Sequence, residues 1–340
     1  MNFIHQEDII TLGRWLASAS YPVIVAHTHP DGDALGASSG LALYLRGMGK
    51  DVAVILPDTP PDNLRFILPK GIPFLFHDED PAGSEARIAR ADLIILADAN
   101  AFTRTSTLEP FLKASAARKV LMDHHLNPDT QSFGLVFSTP DISSASEVVY
   151  WVLKTMGAPA DALAIGTALM TGMTTDTNNF ANSVFPSTFQ MASELIAAGV
   201  DRDALIGKIY QSYRENRVRL MGYMQSDELH ILDNGTAYMV LTRDIQERFD
   251  MRDGESEGLV NVPLTIEKVR LSVLLKEDDG HFRVSVRSKK GTSAQQLAQR
   301  FFHGGGHENA AGGKMLIGED IPSADAAPAC LEQVLKDYLK

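Results

Sequence analysis

Residues 23–34 read VIVAHTHPDGDA, an apolar run that stops at a cluster of potential metal ligands. The apolar part predicts a buried strand, and residues 34–48 predict a helix. His27, Asp31 and Asp33 then lie in the loop between them, at the carboxyl edge of a sheet, where α/β proteins bind ligands. The alternative is a capping loop, in which Asp33 is the N-cap of the helix and His27 is exposed.

The same pattern recurs further along the chain. One apolar run ends at Asp98, and another ends at Asp123-His124-His125. If the three strands are parallel, their carboxyl ends lie along one edge of one sheet and bring these side chains together. Asp176 follows a fourth apolar segment, which has a helical pattern, and adds another carboxylate. The sequence therefore predicts that ligands from four separate segments converge.

The converging side chains are two histidines and four aspartates, without cysteine. Carboxylates that share a site repel one another unless a cation lies between them. Oxygen and imidazole ligands suit Mn²⁺ or Mg²⁺ better than a structural zinc ion. We therefore expect a divalent metal site at this edge of the sheet.

These motifs resemble those of the DHH phosphoesterase superfamily. Near the C-terminus, residues 304–313 read GGGHENAAGG and resemble the signature of the associated DHHA1 domain. All five motifs follow the family's order over nearly the whole chain, and the length is similar to that of the nanoRNase and phosphoadenosine-phosphate phosphatase group, often labelled exopolyphosphatase-related. The resemblance implies an α/β fold: an N-terminal parallel-sheet DHH domain with flanking helices, a helical connector, and a smaller mixed α/β DHHA1 domain.

The resemblance also implies two divalent metal ions, with Mn²⁺ expected and Mg²⁺ as the alternative. The first ion would be bound by His27, Asp31 and Asp98. The second ion would be bound by Asp33, Asp98, His124 and Asp176. Asp98 would therefore bridge the two ions, which together stabilise the attacking oxygen, the leaving oxygen and the phosphoryl charge.

Three residues are expected to act in catalysis beside the metal ions, and they are His125, Asp98 and Asp123. A carboxylate beside ligating histidines commonly orients an imidazole, and we assign that role to Asp123. His125 would contact the substrate phosphate or protonate the leaving oxygen. His29 is interpreted as an outer contact and is left outside the ligand set.

Substrate contacts are expected from the glycine-rich segment and from four other residues. Gly304, Gly305 and Gly306 would let backbone N–H groups approach an anion, and His307 adds a donor; a simple tight turn is the alternative. The other candidates are Arg104, Arg283, Arg287 and Ser288. Period-two spacing puts the last two arginines on one face of a strand, where either could clamp a phosphate. A solvated loop charge is the alternative for Arg104.

Composition limits the classes of function. The chain has 340 residues, of which 44% are hydrophobic and 22% charged, as expected for a globular protein with two domains. Its net charge of −12 argues against binding of long duplexes, whereas metal ions could still attract a short anionic substrate. Without a secretory signal or a run of roughly 18 apolar residues, we expect a cytoplasmic protein with no membrane partner. The oligomeric state stays open, with a homodimer among the candidates.

We expect three segments along the chain. Residues 1–190 would form the DHH catalytic domain, residues 191–225 the helical connector, and residues 226–340 the DHHA1 substrate-binding domain. In the first, strands alternate with helical patterns, which is typical of parallel βαβ units. In the last, two hairpins are predicted around the turns at residues 233–235 and 278–280.

The resemblance implies a metal-dependent phosphodiesterase that hydrolyses short single-stranded oligonucleotides, with release of phosphate from 3′-phosphoadenosine 5′-phosphate as a further activity. Hydrolysis of cyclic dinucleotides or of polyphosphate are the alternatives within the enzyme class. A noncatalytic nucleotide sensor is the alternative from another class, and the complete metal motifs argue against it. Asn178 and the pair Phe302-His303 stand where relatives commonly have glycine. These departures leave the base preference and the substrate length open.

Overall fold

The protein is described by a computed structural model that covers residues 3–339; the side chain of His307 lies outside the described part. The chain divides between Ser212 and Tyr213 into two compact units. Among the described residues, no helix has both the length and the apolar composition needed to cross a bilayer. Each unit has its own sheet and is described in turn.

The first unit contains a six-stranded sheet with helices on both faces. Its strands are β1 (Pro22–Val25), β2 (Ala53–Leu56), β3 (Phe74–Phe76), β4 (Leu93–Ala97), β5 (Arg118–Asp123) and β6 (Leu135–Ser138). Its helices are α1 (Gln6–Ser18), α2 (Gly32–Gly47), α3 (Pro81–Arg90), α4 (Glu109–Ala114), α5 (Ala145–Thr155), α6 (Leu163–Asp176), α7 (Pro186–Ala197) and α8 (Arg202–Tyr210). Short 3₁₀ helices span Asp62–Ile67 and Phe102–Leu108.

All strand pairs in this sheet are parallel, and the strand order is β3-β2-β1-β4-β5-β6. The chain therefore extends the sheet on one side of β1 and then returns to extend it on the other side from β4. In such sheets, ligands bind where the direction of extension reverses, at the carboxyl ends of the two central strands. His27 and Asp98 follow those two strands, as the sequence predicted.

The central strands are apolar along their whole length because both of their faces are buried. In β1, Ile24 contributes to the core under α2, α5 and α6, whereas Val23 and Val25 contribute to the core on the opposite face. That second core includes Ile88 of α3 and Leu112 of α4. Covering both faces leaves the strand ends as the place where the sheet meets solvent.

The second unit contains a mixed sheet of six strands. Its strands are β7 (His230–Ile231), β8 (Thr236–Leu241), β9 (Leu271–Asp278), β10 (His281–Ser288), β11 (Gly305–His307) and β12 (Ala310–Leu316). Its helices are α9 (Glu215–Ser226), α10 (Arg243–Arg248), α11 (Ala294–Phe301) and α12 (Ala327–Tyr338), with 3₁₀ helices at Leu259–Thr265 and Ala324–Ala326. Both predicted hairpins, β7–β8 and β9–β10, are confirmed as antiparallel pairs.

The glycine-rich segment was expected to be a turn, and this prediction is wrong in part. Its glycines enter strand β11, which pairs antiparallel with β12 through Gly305↔Gly312 and Gly306↔Ala311. A side chain at Gly304 would lie 1.9 Å from the carbonyl oxygen of Gly312, so close backbone packing alone requires glycine there. The glycines of this segment carry no strand pattern of their own. Strand β11 is recognised only from its pairing with β12 in the folded unit.

The sequence also predicted one helix from Asp201 to about Gln225, and this is wrong. α8 ends at Tyr210 and α9 begins at Glu215. Arg214 takes an extended conformation at the start of α9, and its guanidinium pairs with Asp250 and Glu255 of the second unit. Because no proline or glycine marks this break, the helical pattern continued through it. The division between the units falls here, inside the range predicted as a connector.

Candidate metal centre

The potential metal ligands come from five elements that end or begin at the same edge of the parallel sheet. His27 follows β1 and Asp98 follows β4. His124 follows β5, and Asp176 is the last residue of α6. Asp31 and Asp33 lie at the start of α2. The structure thus brings together all six side chains that the sequence predicted as ligands.

His27, Asp31 and Asp98 form the first ligand group. The Nε2 atom of His27 lies 3.2 Å from Oδ2 of Asp98 and 3.9 Å from Oδ1 of Asp31. The Nδ1 atom of His27 donates a hydrogen bond to the carbonyl oxygen of Thr28, at 2.8 Å. Because a carbonyl can only accept, Nδ1 carries a proton, and Nε2 is the atom that can bind a metal ion.

Asp33, His124 and Asp176 form the second ligand group. Nε2 of His124 lies 3.7 Å from Oδ2 of Asp176 and 3.4 Å from Oδ1 of Asp98. The two oxygens of Asp98 therefore face different histidines, one in each group. This is the arrangement expected of a carboxylate that bridges two cations.

Asp98 has two features that suit a metal ligand. Its backbone has a φ of 57°, a left-handed conformation that is uncommon for residues other than glycine. Its Oδ1 atom is buried and has no hydrogen-bond partner among the described residues. A buried carboxylate oxygen without a donor is destabilising unless a cation contacts it.

Charge crowding at this site shifts several pKa values in the metal-free protein. Burial, and then the charge of Asp98, raises the pKa of Asp33 to about 7. Burial, and then the charge of Asp33, raises the pKa of Asp176 to about 8. Burial alone would raise the pKa of Asp98, but the neighbouring imidazoles of His124 and His27 hold that pKa well below its usual range.

In the two histidines, nearby carboxylates outweigh burial, and the pKa rises. Burial would lower the pKa of His27, but the hydrogen bond to Asp98 and the charges of Asp98 and Asp31 raise it to about 9. For His124, burial is likewise outweighed by Asp98 and Asp176, and the pKa rises to about 10. Without metal, these imidazoles therefore act as the missing cations.

The donor set fits divalent metal binding. In each group, one atom from every residue lies within 4.8 Å of the others. Ligands bound to a single ion at roughly 2.0–2.3 Å lie no more than about 4.6 Å apart, so little movement is needed to close on an ion. Carboxylate oxygens with one imidazole in each group are typical ligands of Mn²⁺ or Mg²⁺.

Two glycines let α2 and α6 approach closely beneath the site; we call this contact the glycine seam. A Cβ atom added at Gly36 of α2 would lie 2.7 Å from the carbonyl oxygen of Ala168 in α6. One added at Gly172 of α6 would lie 2.8 Å from Oδ1 of Asp33. The seam thus holds the helix that carries Asp33 against the helix that ends at Asp176, and sequence patterns did not single it out.

The start of α2 differs from the capping alternative. Asp31, and not Asp33, is the N-cap, and its Oδ1 accepts hydrogen bonds from the backbone N–H groups of Asp33 and Ala34. Asp33 is buried and instead accepts N–H groups from Ala145 and Ser146 at the start of α5. Sequence reasoning missed these backbone donors, because only the fold brings α5 to α2.

Comparison with known proteins identifies the family. The profile described as "DHH family, N-terminal domain" matches residues 22–173, and that of the DHHA1 domain matches residues 235–336. A crystal structure of an exopolyphosphatase-related protein from Bacteroides fragilis is 37% identical, with a TM-score of 0.91 over 98% of this chain and 97% of that one. The chain belongs to the DHH family.

Other similar proteins have lower sequence identity to this chain. A protein of Bacillus subtilis named bifunctional oligoribonuclease and PAP phosphatase NrnA is 27% identical, over 94% of this chain and 96% of its own. The protein of the same name from Thermus thermophilus is 29% identical, over 94% and 91%. RecJ of Thermus thermophilus, crystallised with Mn²⁺, shares the fold at 16% identity and a TM-score of 0.55.

The residues for which the DHH family is named are Asp123, His124 and His125. Asp123 is fully buried, and its Oδ1 accepts a hydrogen bond from Nδ1 of His125 at 2.7 Å. Its Oδ2 accepts the backbone N–H of His125 at 3.0 Å. Asp123 therefore fixes the orientation of the His125 imidazole, which is the role expected from the sequence. Nδ1 of His125 also lies 3.8 Å from Asp98, which keeps this ring beside both ligand groups.

Among the predicted substrate contacts, the two strand arginines differ. Arg283 and Arg287 share one face of β10, as period-two spacing predicts. Arg283 is exposed and pairs with Asp278, at 3.2 Å. Arg287 is half-buried and donates to the carbonyl oxygens of Val286 and Ala311, and burial lowers its pKa. Of the two arginines, Arg287 is the one without a carboxylate partner among the described residues.

Ser288 lies on the opposite face of β10, where it is buried. Its hydroxyl donates to the carbonyl oxygen of Thr292 at 2.6 Å and accepts from Asn309. These contacts give Ser288 a structural role, so we leave its side chain out of the proposed substrate contacts. Side chains alternate between the two faces of a strand, so the sequence alone could have placed Ser288 on the face opposite the two arginines.

The remaining candidates are distributed over both units. Arg104 is exposed in the 3₁₀ helix after β4, and its carbonyl oxygen accepts the N–H of Thr28, next to His27. In β11, a Cβ atom at Gly305 would meet nothing within 4 Å, so packing does not explain this glycine. His29 is exposed, and its backbone N–H is bound by Asp58, outside the ligand groups.

Proposed function

We propose that this chain hydrolyses phosphate esters in short oligonucleotides and in 3′-phosphoadenosine 5′-phosphate, using two divalent ions. The observation that carries the proposal is the pair of ligand groups that meet at Asp98. When bound there, two divalent ions would polarise the phosphoryl group and lower the pKa of water. We further propose Mn²⁺ as the preferred ion, because each group includes an imidazole.

His125 would supply the proton that the leaving oxygen needs. Asp123 holds Nδ1, so the ring exchanges protons with the substrate through Nε2. As a water oxygen forms its bond to phosphorus, the P–O ester bond breaks, and the leaving oxygen takes the proton from His125. The buried carboxylate of Asp123 fixes the orientation of the ring for this transfer.

Recognition would come from the second unit. The guanidinium of Arg287 is half-buried and contacts only carbonyl oxygens among the described residues, so a phosphate would provide its first anionic partner. The open backbone at Gly305 offers an N–H group in the same sheet. We therefore propose that residues of the first unit carry out the chemistry and residues of the second bind the rest of the substrate.

The names of the relatives support this substrate class. Two of them are called bifunctional oligoribonuclease and PAP phosphatase, and each is matched over more than nine-tenths of its length. A second candidate is hydrolysis of cyclic dinucleotides, because a cyclic-di-AMP phosphodiesterase of Geobacillus thermodenitrificans is 25% identical over 97% of this chain. That protein is about twice as long, with 49% of its length matched. Either substrate would place the activity in the cytoplasm.

A substrate panel tests the proposal. The purified chain is given Mn²⁺ or Mg²⁺ and offered a 5′-labelled dinucleotide and pentanucleotide, 3′-phosphoadenosine 5′-phosphate, cyclic di-AMP and tripolyphosphate. We expect mononucleotides from the two oligonucleotides and free phosphate from phosphoadenosine phosphate, with Mn²⁺ more effective. Preferential cleavage of cyclic di-AMP would support the second candidate. Binding of nucleotides without hydrolysis of any substrate would refute the proposal in favour of a sensor.

A further inference from the structure

The carboxylate of Asp33 is held by the first turn of a helix that carries no metal ligand. The backbone N–H of Ala145 lies 2.6 Å from Oδ2 of Asp33, and the N–H of Ser146 lies 2.9 Å from Oδ1. Both are among the first N–H groups of α5, which have no partner within their own helix. The orientation of Asp33 therefore depends on where this turn lies.

Glu147 fixes that turn in place. Its backbone N–H donates to the hydroxyl of Ser144, the N-cap of α5, at 3.0 Å. Its carboxylate is fully buried, and Oε2 accepts the backbone N–H of Ser143 at 3.1 Å and the hydroxyl of the same residue. This resembles a capping box, except that the carboxylate reaches the residue before the N-cap.

The same carboxylate also ties the turn to its surroundings. Oε2 accepts the hydroxyl of Thr188 in α7, at 2.8 Å, and Oε1 accepts the indole N–H of Trp151, at 3.1 Å. Glu147 thus joins the loop before α5, the helix itself and α7. Glutamine could not replace it without loss, because its amide nitrogen would face donors in place of an acceptor.

A buried carboxylate is costly for a fold unless every oxygen is hydrogen-bonded. At Glu147 four donors from Ser143, Thr188 and Trp151 meet that need, and no cation pairs with it among the described residues. A solvent-exposed glutamate could cap α5 with no such cost. The burial of this group next to the donors of Asp33 points to a role in placing the ligand.

We propose that Glu147 is a positioning residue for the metal ion bound by Asp33, His124 and Asp176. It acts through the backbone donors of Ala145 and Ser146, and it touches neither metal nor substrate. The inference rests on the proposed metal site and does not depend on which phosphate ester is hydrolysed. Outer hydrogen-bond partners of metal ligands commonly change metal affinity by roughly 10- to 100-fold.

The test measures metal binding and not turnover. Mn²⁺ is titrated into the metal-free full chain by calorimetry, at a temperature where every variant is folded. In Glu147→Gln we expect one of the two binding steps to weaken by about 10-fold, with the other step unchanged. A general loosening of the fold would weaken both steps alike.

Glu194→Gln is the matched control. Glu194 also joins α5 to α7, through Tyr150 and Lys154, but nearer the C-terminal end of α5. We expect this variant to bind both ions like the wild type, even where its melting temperature falls. Equal weakening in Glu147→Gln and Glu194→Gln, or wild-type affinity in Glu147→Gln, would overturn the inference.

Thr188→Val covers the case in which Glu147→Gln fails to fold. It removes one donor from the Glu147 carboxylate and leaves the charge in place. We expect the same binding step to weaken by about threefold, within the range of a single hydrogen bond. Wild-type affinity in this variant would also overturn the inference. A wild-type chain that binds no Mn²⁺ would instead refute the proposed function.

Discussion

Two regions of the molecule differ in the sign of their uncompensated charge. We call the sheet edge that carries Asp33, Asp98 and Asp176 the metal edge, and the face of β10 that carries Arg283 and Arg287 the arginine face. At the edge, Asp33 and Asp176 crowd together, and their pKa values rise because of burial and because nearby charges are also negative. On β10, burial lowers the pKa of Arg287, whose described partners are carbonyl oxygens. In the first region the carboxylates outnumber the two imidazoles, and in the second Arg287 has no carboxylate partner among the described residues. Divalent metal ions would balance the charge of the first region, and a substrate phosphate would balance that of the second.

The comparison also shows that a neighbouring carboxylate changes how strongly an arginine can bind a phosphate. Arg283 and Arg287 lie on one face of the strand, yet Asp278 already neutralises the first. An arginine that is already paired with a carboxylate contributes little to binding a phosphate. An arginine without a carboxylate partner can offer its full charge to the phosphate. Geometry therefore separates two residues that sequence spacing treats alike.

Replacing Asp98 with asparagine should cause the largest loss of activity among these predictions, because it changes the carboxylate that faces both ligand groups. The substitution removes the charge shared by both ligand groups, and asparagine tolerates the left-handed φ of 57° at this position. We expect kcat on a pentanucleotide to fall by at least about 10²- to 10³-fold, as for loss of a group that stabilises transition-state charge. The circular dichroism spectrum should be unchanged.

The matched control for Asp98→Asn is Asp80→Asn. Asp80 caps α3 through the backbone N–H of Gly83, and asparagine caps equally well. The charge change is the same, and kcat should stay at the wild-type value. Near-normal turnover and metal content in Asp98→Asn would refute the bridging assignment.

Removing the arginines of β10 tests the second region. We expect Arg287→Ala to lower kcat/KM on short oligonucleotides by about 10- to 150-fold, since a hydrogen bond to a charged group contributes roughly 1.5–3 kcal/mol. Arg283→Ala should change it by less than about threefold, because its exposed pair with Asp278 contributes little. Steady-state kinetics on a pentanucleotide measure both values.

Bis-p-nitrophenyl phosphate distinguishes recognition from chemistry in these variants. This small activated ester requires the metal edge alone, so Arg287→Ala should hydrolyse it at nearly the wild-type rate. Equal losses on both substrates would place Arg287 in folding or catalysis. Equal losses in Arg283→Ala and Arg287→Ala on oligonucleotides would remove the distinction between them.

The pH dependence of metal affinity gives the smallest effect for a single step of the change, about tenfold per pH unit. In the metal-free protein the pKa of His27 is about 9 and that of His124 is about 10, so both are protonated at neutral pH. Binding must displace these protons, and the Kd for Mn²⁺ should fall by about tenfold or more per unit from pH 6 to 8. Calorimetry in buffers of different ionisation enthalpy counts the protons released.

The same shifts determine how metal-free stability depends on pH. Because the folded pKa values of His27 and His124 lie above the ordinary value of 6.5, their contribution is full below that pH and is lost as pH rises through about 9 to 10. The melting temperature of the metal-free chain should therefore decline over this window. A Kd independent of pH would contradict the shifted pKa values.

Much of the fold was predictable because local patterns agreed with the final packing. Apolar runs ending in Asp98 and Asp123 predicted strands that are buried on both faces, and the Asn-Gly turn predicted the β7–β8 hairpin. The break between α8 and α9 was not predictable. Its cause is the pairing of Arg214 with Asp250 and Glu255, which lie 36 and 41 residues away.

For the site, residue types and their positions after strands were sufficient to predict that six candidate ligand side chains lie together, as they do in the structure. What holds the ligands was not predictable. The donors to Asp33 are backbone N–H groups of Ala145 and Ser146, and a backbone group leaves no signature in a sequence. The structural role of Ser288 likewise depends on Asn309 and Thr292, which approach it only in the folded unit.

The glycine seam determines which part of the metal edge can change. At Gly36 and Gly172 the helices that carry Asp33 and Asp176 meet backbone to backbone, with no side chain between them. Side chains in a core can adopt new rotamers when a neighbour changes, but two touching backbones have no such freedom. The span between the two carboxylates, whose ligand atoms lie within 4.8 Å of each other, is therefore constrained by this backbone contact. Substitutions elsewhere in the core can alter stability without altering the size of ion that this span accepts.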